Sequence, residues 1–163
     1  MRYRHDPLDD AELLIPRVYG YVAYRLGHGP DAEDVTSECF ERAVRYRHRY
    51  NPRRGEPLAW LIGIARRLVA DHAKVPRMED LELAFDAAGE DLSEEIVRRL
   101  SVQAAVAQLP VRDQELVALR YGADLTARQI GTALGMSTHA AEVALGRVED
   151  RLRKALQRRL VHE

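Results

Sequence analysis

Residues 126–141 read Thr-Ala-Arg-Gln-Ile-Gly-Thr-Ala-Leu-Gly-Met-Ser-Thr-His-Ala-Ala. Two short helices and a tight turn are written into this stretch. Thr126 and Gln129 are spaced as a capping box, in which the side chain of each residue satisfies the backbone N–H of the other. Ile130 and Leu134 fall on one face of the helix that follows. Gly131 is small where two elements must approach closely, and Gly135 can take a positive φ at the turn. Ser137 then caps a second helix. Ala141, Leu145, Val148, Leu152 and Leu156 run along one face of that helix. This is the grammar of a helix-turn-helix, whose second helix can enter a major groove. An ordinary helical hairpin would show much of the same pattern, so the rest of the chain must decide.

Upstream, Pro110 separates two helical pieces, one from about Ser93 to Gln108 and one reaching Tyr121 with Leu116, Val117 and Leu119 inside. Residues 76–95 lack helical periodicity and are acidic, which predicts a linker. Before them the pattern predicts three helices. The first starts near Asp9 and Asp10, carries Leu13, Leu14, Val18, Val22 and Leu26, and ends at Gly27. The second follows Gly29-Pro30, with Asp31 as its expected N-cap and Val35, Cys39, Phe40 and Val44 at helical spacing. A loop from His48 to Glu56 contains Asn51-Pro-Arg-Arg-Gly55. Pro57 suits a first helical position, and Trp60, Leu61, Ile64, Ala65 and Leu68 build the third helix to about Lys74. An all-α fold is expected, with two small helical domains (1–75 and 96–163) joined by the acidic linker 76–95.

The net charge of −1 conceals blocks of opposite sign. Residues 31–41 hold five acids and no Lys or Arg, while 42–74 hold nine bases against Glu56 and Asp71. Residues 75–100 hold eight acids against three arginines. A basic block can hold phosphate, and an acidic block suits a cationic partner or water. Cys39 is the single cysteine, read as a buried thiol on a helix face. The six histidines include no i, i+4 pair, and no nucleophile–base pair, phosphate loop or metal cluster is written in the chain. No enzyme, metal or cofactor is expected. No apolar run approaches the roughly 20 residues that span a bilayer, and no signal peptide is recognisable, so no membrane insertion and a cytoplasmic location are expected.

Two stretches carry a family resemblance. Asp31-Ala-Glu-Asp-Val-Thr-Ser-Glu-Cys-Phe40, followed by Trp60-Leu-Ile-Gly-Ile-Ala-Arg-Arg-Leu-Val-Ala-Asp-His72, resembles the second region of bacterial sigma factors of the extracytoplasmic-function (ECF) class. Leu109-Pro110, Leu119-Arg-Tyr121, the helix-turn-helix and Arg151-Leu-Arg-Lys-Ala-Leu156 resemble the fourth region. The resemblance spans roughly residues 10–160 in the family's order. It implies a factor that binds core RNA polymerase and directs it to promoter DNA for minus-ten melting and initiation, with an anti-sigma or other regulatory protein as a further partner. Under it, Asp31, Glu33, Asp34, Glu38 and Glu41 would dock on the polymerase. Arg53, Arg54, Arg66 and Arg67 would meet the minus-ten strand. Asn51 would either hydrogen-bond a base edge or initiate a turn. Trp60 and Leu61 read as core. In the helix-turn-helix, Arg128, Thr138, His139, Glu142, Arg147 and Arg151 are the candidates for DNA.

The chain also departs from the family pattern. Arg67 stands where the family usually has asparagine, and Ser37 where it often has glutamine. Ala140-Ala-Glu-Val-Ala144 replaces a run resembling Thr-Val-Lys-Ser-Arg, removing the side chains that would reach minus-thirty-five bases. An alternative follows: a sigma-derived interaction module, or a helix-turn-helix regulator with weakened direct readout. A plain helix-turn-helix repressor would leave the motifs in 31–72 unexplained.

Overall fold

The computed structural model describes residues 5–72 and 93–161. Most of the expected linker, 76–92, lies outside the described residues, as do Lys74 and His162. Among those described there are seven α-helices and no strand.

Three helices form the first half. Helix α1, Ala11–Leu26, buries Leu14, Val18, Tyr21 and Val22 and ends at Gly27. There φ is 86° and the Gly27 N–H bonds to Ala23 O at 2.8 Å. Helix α2 is Pro30–Tyr46. Its N-cap is Gly29 rather than the expected Asp31, because Pro30 takes the first helical position, where its missing N–H costs nothing. Asp31 and Glu33 therefore sit inside the first turn and face the positive end of the helix dipole. Helix α3, Pro57–His72, starts at Pro57 and buries Leu58, Leu61, Ile62, Ala65, Leu68 and Val69.

The second half holds four helices. Helix α4, Glu94–Ala107, is capped by Ser93. Helix α5, Val111–Val117, runs into a π-helical turn, Ala118–Gly122. Helix α6, Ala127–Leu134, has the full Thr126–Gln129 capping box, and Gly135 closes it in the left-handed region at φ 70°. A Cβ on Gly131 would lie 2.7 Å from Met136 O, so the turn into the next helix packs directly on this residue. Helix α7, Thr138–Val161, begins with the Ala140 N–H bonded to Ser137 Oγ at 3.1 Å.

The two halves share one core. Val18, Tyr21 and Val22 of α1 join Leu61 and Ile62 of α3 in a cluster that continues through Leu116, Leu119, Ile130 and Leu145. The principal joint is α1 against the π-turn. A Cβ on Gly20 would lie 2.3 Å from Gly122 O, and one on Gly122 would lie 2.5 Å from Gly20 O. No other residue fits at this crossing without separating the two backbones.

Candidate nucleic-acid interface

The acidic face of α2 is open. Asp31, Glu33, Asp34, Glu38 and Glu41 are all exposed, while Ala32, Val35, Cys39 and Ala43 turn inward. Helical spacing alone produces this division. Glu38 is paired with Arg42 at 2.8 Å, and Asp31 lies 3.8 Å from the His72 imidazole at the end of α3. Asp34, Glu38 and Glu41 rim a shallow groove with Ser37, Arg42 and Arg45. Exposed pairs of this kind hold little energy and are easily exchanged for another partner.

The basic loop between α2 and α3 is ordered from within. It consists of two 3-10 turns, Arg47–Arg49 and Pro52–Arg54. The Asn51 side chain accepts from the Arg53 N–H at 3.0 Å, so of its two expected roles it performs the turn-forming one in this structure. Tyr50 is buried, donates to Gly55 O at 3.0 Å and packs on Trp60 with ring centroids 5.5 Å apart. Trp60 packs partly buried against the core, as expected. This frame leaves Asn51, Arg53 and Arg54 exposed at the loop's outer edge. The Arg49 guanidinium lies 4.8 Å above the Tyr46 ring centroid.

Arg66 and Arg67 part company because consecutive helical residues project about 100° apart. Arg67 faces solvent. Arg66 crosses to the other half, where its Nε donates to Glu115 Oε1 at 2.6 Å and its Nη1 to Ala133 O at 3.0 Å. Arg128, at the start of α6, is exposed on the facing wall. The loop, α3 and α6 thus enclose a cleft of about 840 Å³ lined by Arg49, Asn51, Arg54, Trp60, Arg66 and Arg128.

In the helix-turn-helix, Thr138, His139, Glu142 and Arg147 are exposed along α7. Arg151 is about half exposed and pairs with the buried carboxylate of Asp113 on α5. That contact ties α7 to its own half and occupies Arg151 there.

Sequence reasoning missed the polar centre of the molecule. Glu115 is buried and accepts from the Tyr21 hydroxyl at 2.8 Å, from Arg25 and from Arg66. Burial first, and then the neighbouring Glu115 carboxylate, push the Tyr21 phenol far above its ordinary range. Arg17 adds two bonds across the same seam, to Ala123 O at 2.8 Å and Asp124 O at 2.9 Å. Half of this centre had a visible signal. Arg17, Tyr21 and Arg25 stand at i, i+4 and i+8, a polar row beside the apolar stripe of α1.

The architecture is thus an all-helical pair of units, one with an acidic face beside an arginine-rich loop, the other with a helix-turn-helix. The description "Sigma-70 region 2" matches residues 11–75 and "Sigma-70, region 4" residues 99–158. The chain is 34% identical over 132 residues to the ECF RNA polymerase sigma factor BldN of Streptomyces coelicolor, covering 76% of this chain and 50% of that protein. It is 30% identical over 166 residues to the RNA polymerase sigma factor CarQ of Myxococcus xanthus, covering 95% of this chain and 94% of that one. Against the ECF RNA polymerase sigma factor SigD of Mycobacterium tuberculosis it is 30% identical over 154 residues, covering 87% and 73%. The chain therefore spans half the length of the BldN relative and nearly all of the CarQ relative.

Two solved structures share the fold. The sigma factor RpoE in complex with the anti-sigma factor NepR from Bartonella quintana aligns with TM-score 0.67 at 14% identity, over 91% of this chain and 94% of that one. CnrH in complex with the cytosolic domain of CnrY aligns with TM-score 0.64 at 20% identity, over 92% and 84%. The chain belongs to the sigma-70 family of RNA polymerase sigma factors, in the ECF class. Among the described residues, no helix is long and apolar enough to cross a membrane.

Proposed function

We propose that this chain binds core RNA polymerase and directs it to promoter DNA as a cytoplasmic, non-enzymatic initiation factor. The observation that carries this reading is the first half's two-sided surface. Five exposed carboxylates on α2 face one way, and a rigid loop presents Arg53 and Arg54 another. The acidic face docks on a cationic surface of the polymerase. The loop, with Arg66 and Arg67, holds the phosphates of the melted minus-ten strand, where a cationic track suits single-stranded nucleic acid. The segments 1–75 and 96–163 act as the two working domains, joined by 76–95.

The helix-turn-helix adds duplex contact through Arg128, Thr138, His139 and Arg147, with little base readout. Its exposed first turns offer Ala140 and Glu142 where side-chain donors would be needed. That same feature favours a second reading, in which α7 serves mainly as a protein-binding surface. An anti-sigma protein is a further partner we propose for the chain, supported by the like-folded sigma factor RpoE, whose structure was solved with the anti-sigma factor NepR. The deciding experiment is run-off transcription with purified core polymerase on a fragment library of the native genome. Specific transcripts that require the chain are expected. Core polymerase that neither binds the chain nor gains new start sites would overturn the proposal.

A further inference from the structure

Three guanidiniums share one concave space, and among the described residues none of them has a carboxylate partner. Arg49 and Arg54 stand on the loop side of the cleft, and Arg128 on the α6 side. Arg66, also in the lining, is already engaged by Glu115 and by Ala133 O. Against these cations, Glu56 is the acid among the described lining residues. A cleft lined mainly by one sign of charge, between walls of low dielectric, focuses its field and concentrates small counter-ions.

We propose that the cleft between the loop and α6 is a binding site for a nucleoside diphosphate or triphosphate, its phosphates held by Arg49, Arg54 and Arg128 and its base laid against Trp60. The charge calls for a polyanion. A guanidinium presents a planar fork of donors that matches the oxygens of a phosphate, and three of them on two walls suit a ligand with more than one phosphate.

Size and lining call for a ring as well. The cavity of about 840 Å³ falls within the roughly 300–1,000 Å³ of small-ligand clefts, and an inorganic anion alone would leave most of it to water. Trp60 lines the space, keeps part of its surface exposed, and is braced by Tyr50 with ring centroids 5.5 Å apart. An indole face accepts any base by stacking. On the opposite wall the Thr126 N–H donates to Gln129 Oε1 at 2.9 Å, which leaves the Gln129 Nε2 hydrogens to donate to a base edge. Phosphate donors, a stacking surface and an edge donor thus meet in one space.

The two walls distinguish this site from the promoter contacts. Arg54 and Arg128 serve different promoter elements in the function proposed above, yet here they line one cavity. A ligand that needs both is a ligand of the free chain, and while bound it withholds Arg54 from the melted strand. That consequence rests on the proposed function, whereas the binding site rests on the fold alone.

Trp60 is the single tryptophan of the chain, so its fluorescence reports from inside the site. The full chain, free of polymerase, is titrated with ATP, GTP, inorganic triphosphate and guanosine, by fluorescence corrected for nucleotide absorbance and in parallel by calorimetry. At least one nucleotide is expected to quench Trp60 and to bind about ten-fold or more tightly than inorganic triphosphate or guanosine. Arg54→Ala and Arg128→Ala each remove an exposed side chain, so the melting temperature should hold while nucleotide affinity falls about ten-fold. Arg98→Ala, on α4 and outside the cleft, should bind as wild type does. Three results would overturn the site. They are no binding of either nucleotide, inorganic triphosphate binding as tightly as the nucleotides, and a loss on Arg54→Ala with none on Arg128→Ala, which would place the nucleotide on the loop alone as a fragment of promoter strand. None of these measurements involves polymerase, so failure of the site and failure of the functional reading are told apart.

Discussion

Arg66 on α3 donates to Glu115 on α5 at 2.6 Å, so a residue of the first half neutralises a buried carboxylate of the second. Glu115 also holds Tyr21 and Arg25, and its removal leaves two guanidiniums facing each other at the seam. Breaking one side of a buried pair costs about 3 kcal/mol. The cost falls no higher because Arg66 is 37% exposed and partly screened by solvent. For a chain of this size, Glu115→Ala should lower the melting temperature by about 6–12 °C. Scanning calorimetry should show one transition for wild type, whose halves share a core, and a broadened or divided one for the variant. An unshifted single transition would show that the seam is held by apolar packing alone.

Reversing Glu33 and Asp34 to Lys tests the docking face. Both side chains are exposed on α2 and neither supports the core, so the loss of stability should be confined to the first-turn dipole contact of Glu33, about 1 kcal/mol, and leave the fold intact. Core polymerase affinity should fall at least ten-fold, with a weaker salt dependence. Equal affinity of variant and wild type in a fluorescence titration would remove this surface from the docking site.

Arg53 and Arg54 stand free of the core on a loop held by Tyr50 and Asn51. Replacing both with Ala should impair promoter opening by the holoenzyme more than core binding. Each lost phosphate contact should reduce the salt slope of strand binding by about 0.7. Permanganate footprinting reads the opening directly, and unaltered reactivity of the melted region would exclude the loop.

Cys39 is fully buried and its Sγ donates to Leu61 O at 3.4 Å. Burial pushes the thiol up to about 12, the nearby Arg42 and the Ala65 backbone offsetting this only in part. The unfolded thiol ionises near 9, so the folded state's preference for the neutral form has its full effect below pH 9 and is lost between pH 9 and about 12. Tyr21 titrates in the same direction. Iodoacetamide at pH 8 should therefore modify Cys39 only as fast as the chain unfolds, and the denaturant midpoint should fall between pH 8 and pH 10. Rapid alkylation of the native chain would contradict the buried placement.

The helices were legible because their signals are local. The Thr126–Gln129 box, Pro57 and Gly27 act within one or two turns, and each performs in the structure the role its spacing implies. The apolar stripes bury Leu14, Val18, Val22, Val35 and Cys39 as expected, whereas Leu13 and Val44, expected on the same stripes, lie at their edges and are exposed. Asp31 misled because Ser, Asp and Asn are favoured caps in general, whereas here Pro30 had already set the first helical position. The seam was not legible. Tyr21 and Glu115 are 94 residues apart, and nothing in a 3.6-residue period reports a partner at that distance. Asp113, Gln114 and Glu115 are polar and consecutive, yet all three are buried, because each has an acceptor or donor waiting outside its own helix. Arg66 likewise reads as a phosphate contact, and only the tertiary structure places Glu115 beside it.

The first turns of α7 lead to the final prediction. Specific readout in a major groove comes from side chains that donate to or accept from base edges, each good bidentate contact contributing about 1–3 kcal/mol. Ala140 and Ala144 have no such group, and Ala141 is buried against the core. Glu142 is exposed and can accept from cytosine, yet its charge is repelled by the flanking phosphates. Thr138 and His139 occupy the helix's N-terminal turn, where the dipole favours phosphate, and Arg147 is free for the backbone. Arg151 is already engaged with Asp113, so its contact would first have to break a partly buried pair. Contacts of this type set position and carry little sequence information. Holoenzyme selecting from promoters randomised upstream should therefore tolerate most single changes around minus thirty-five with less than about three-fold loss, while changes in the minus-ten element should cost about ten-fold or more, the equivalent of about 1.4 kcal/mol. Glu142→Lys should strengthen upstream binding overall, by removing one repulsion and adding one phosphate contact, with its gain disappearing as salt is raised. A single strongly enriched upstream motif, lost on Glu142→Ala, would show instead that α7 reads bases through that carboxylate.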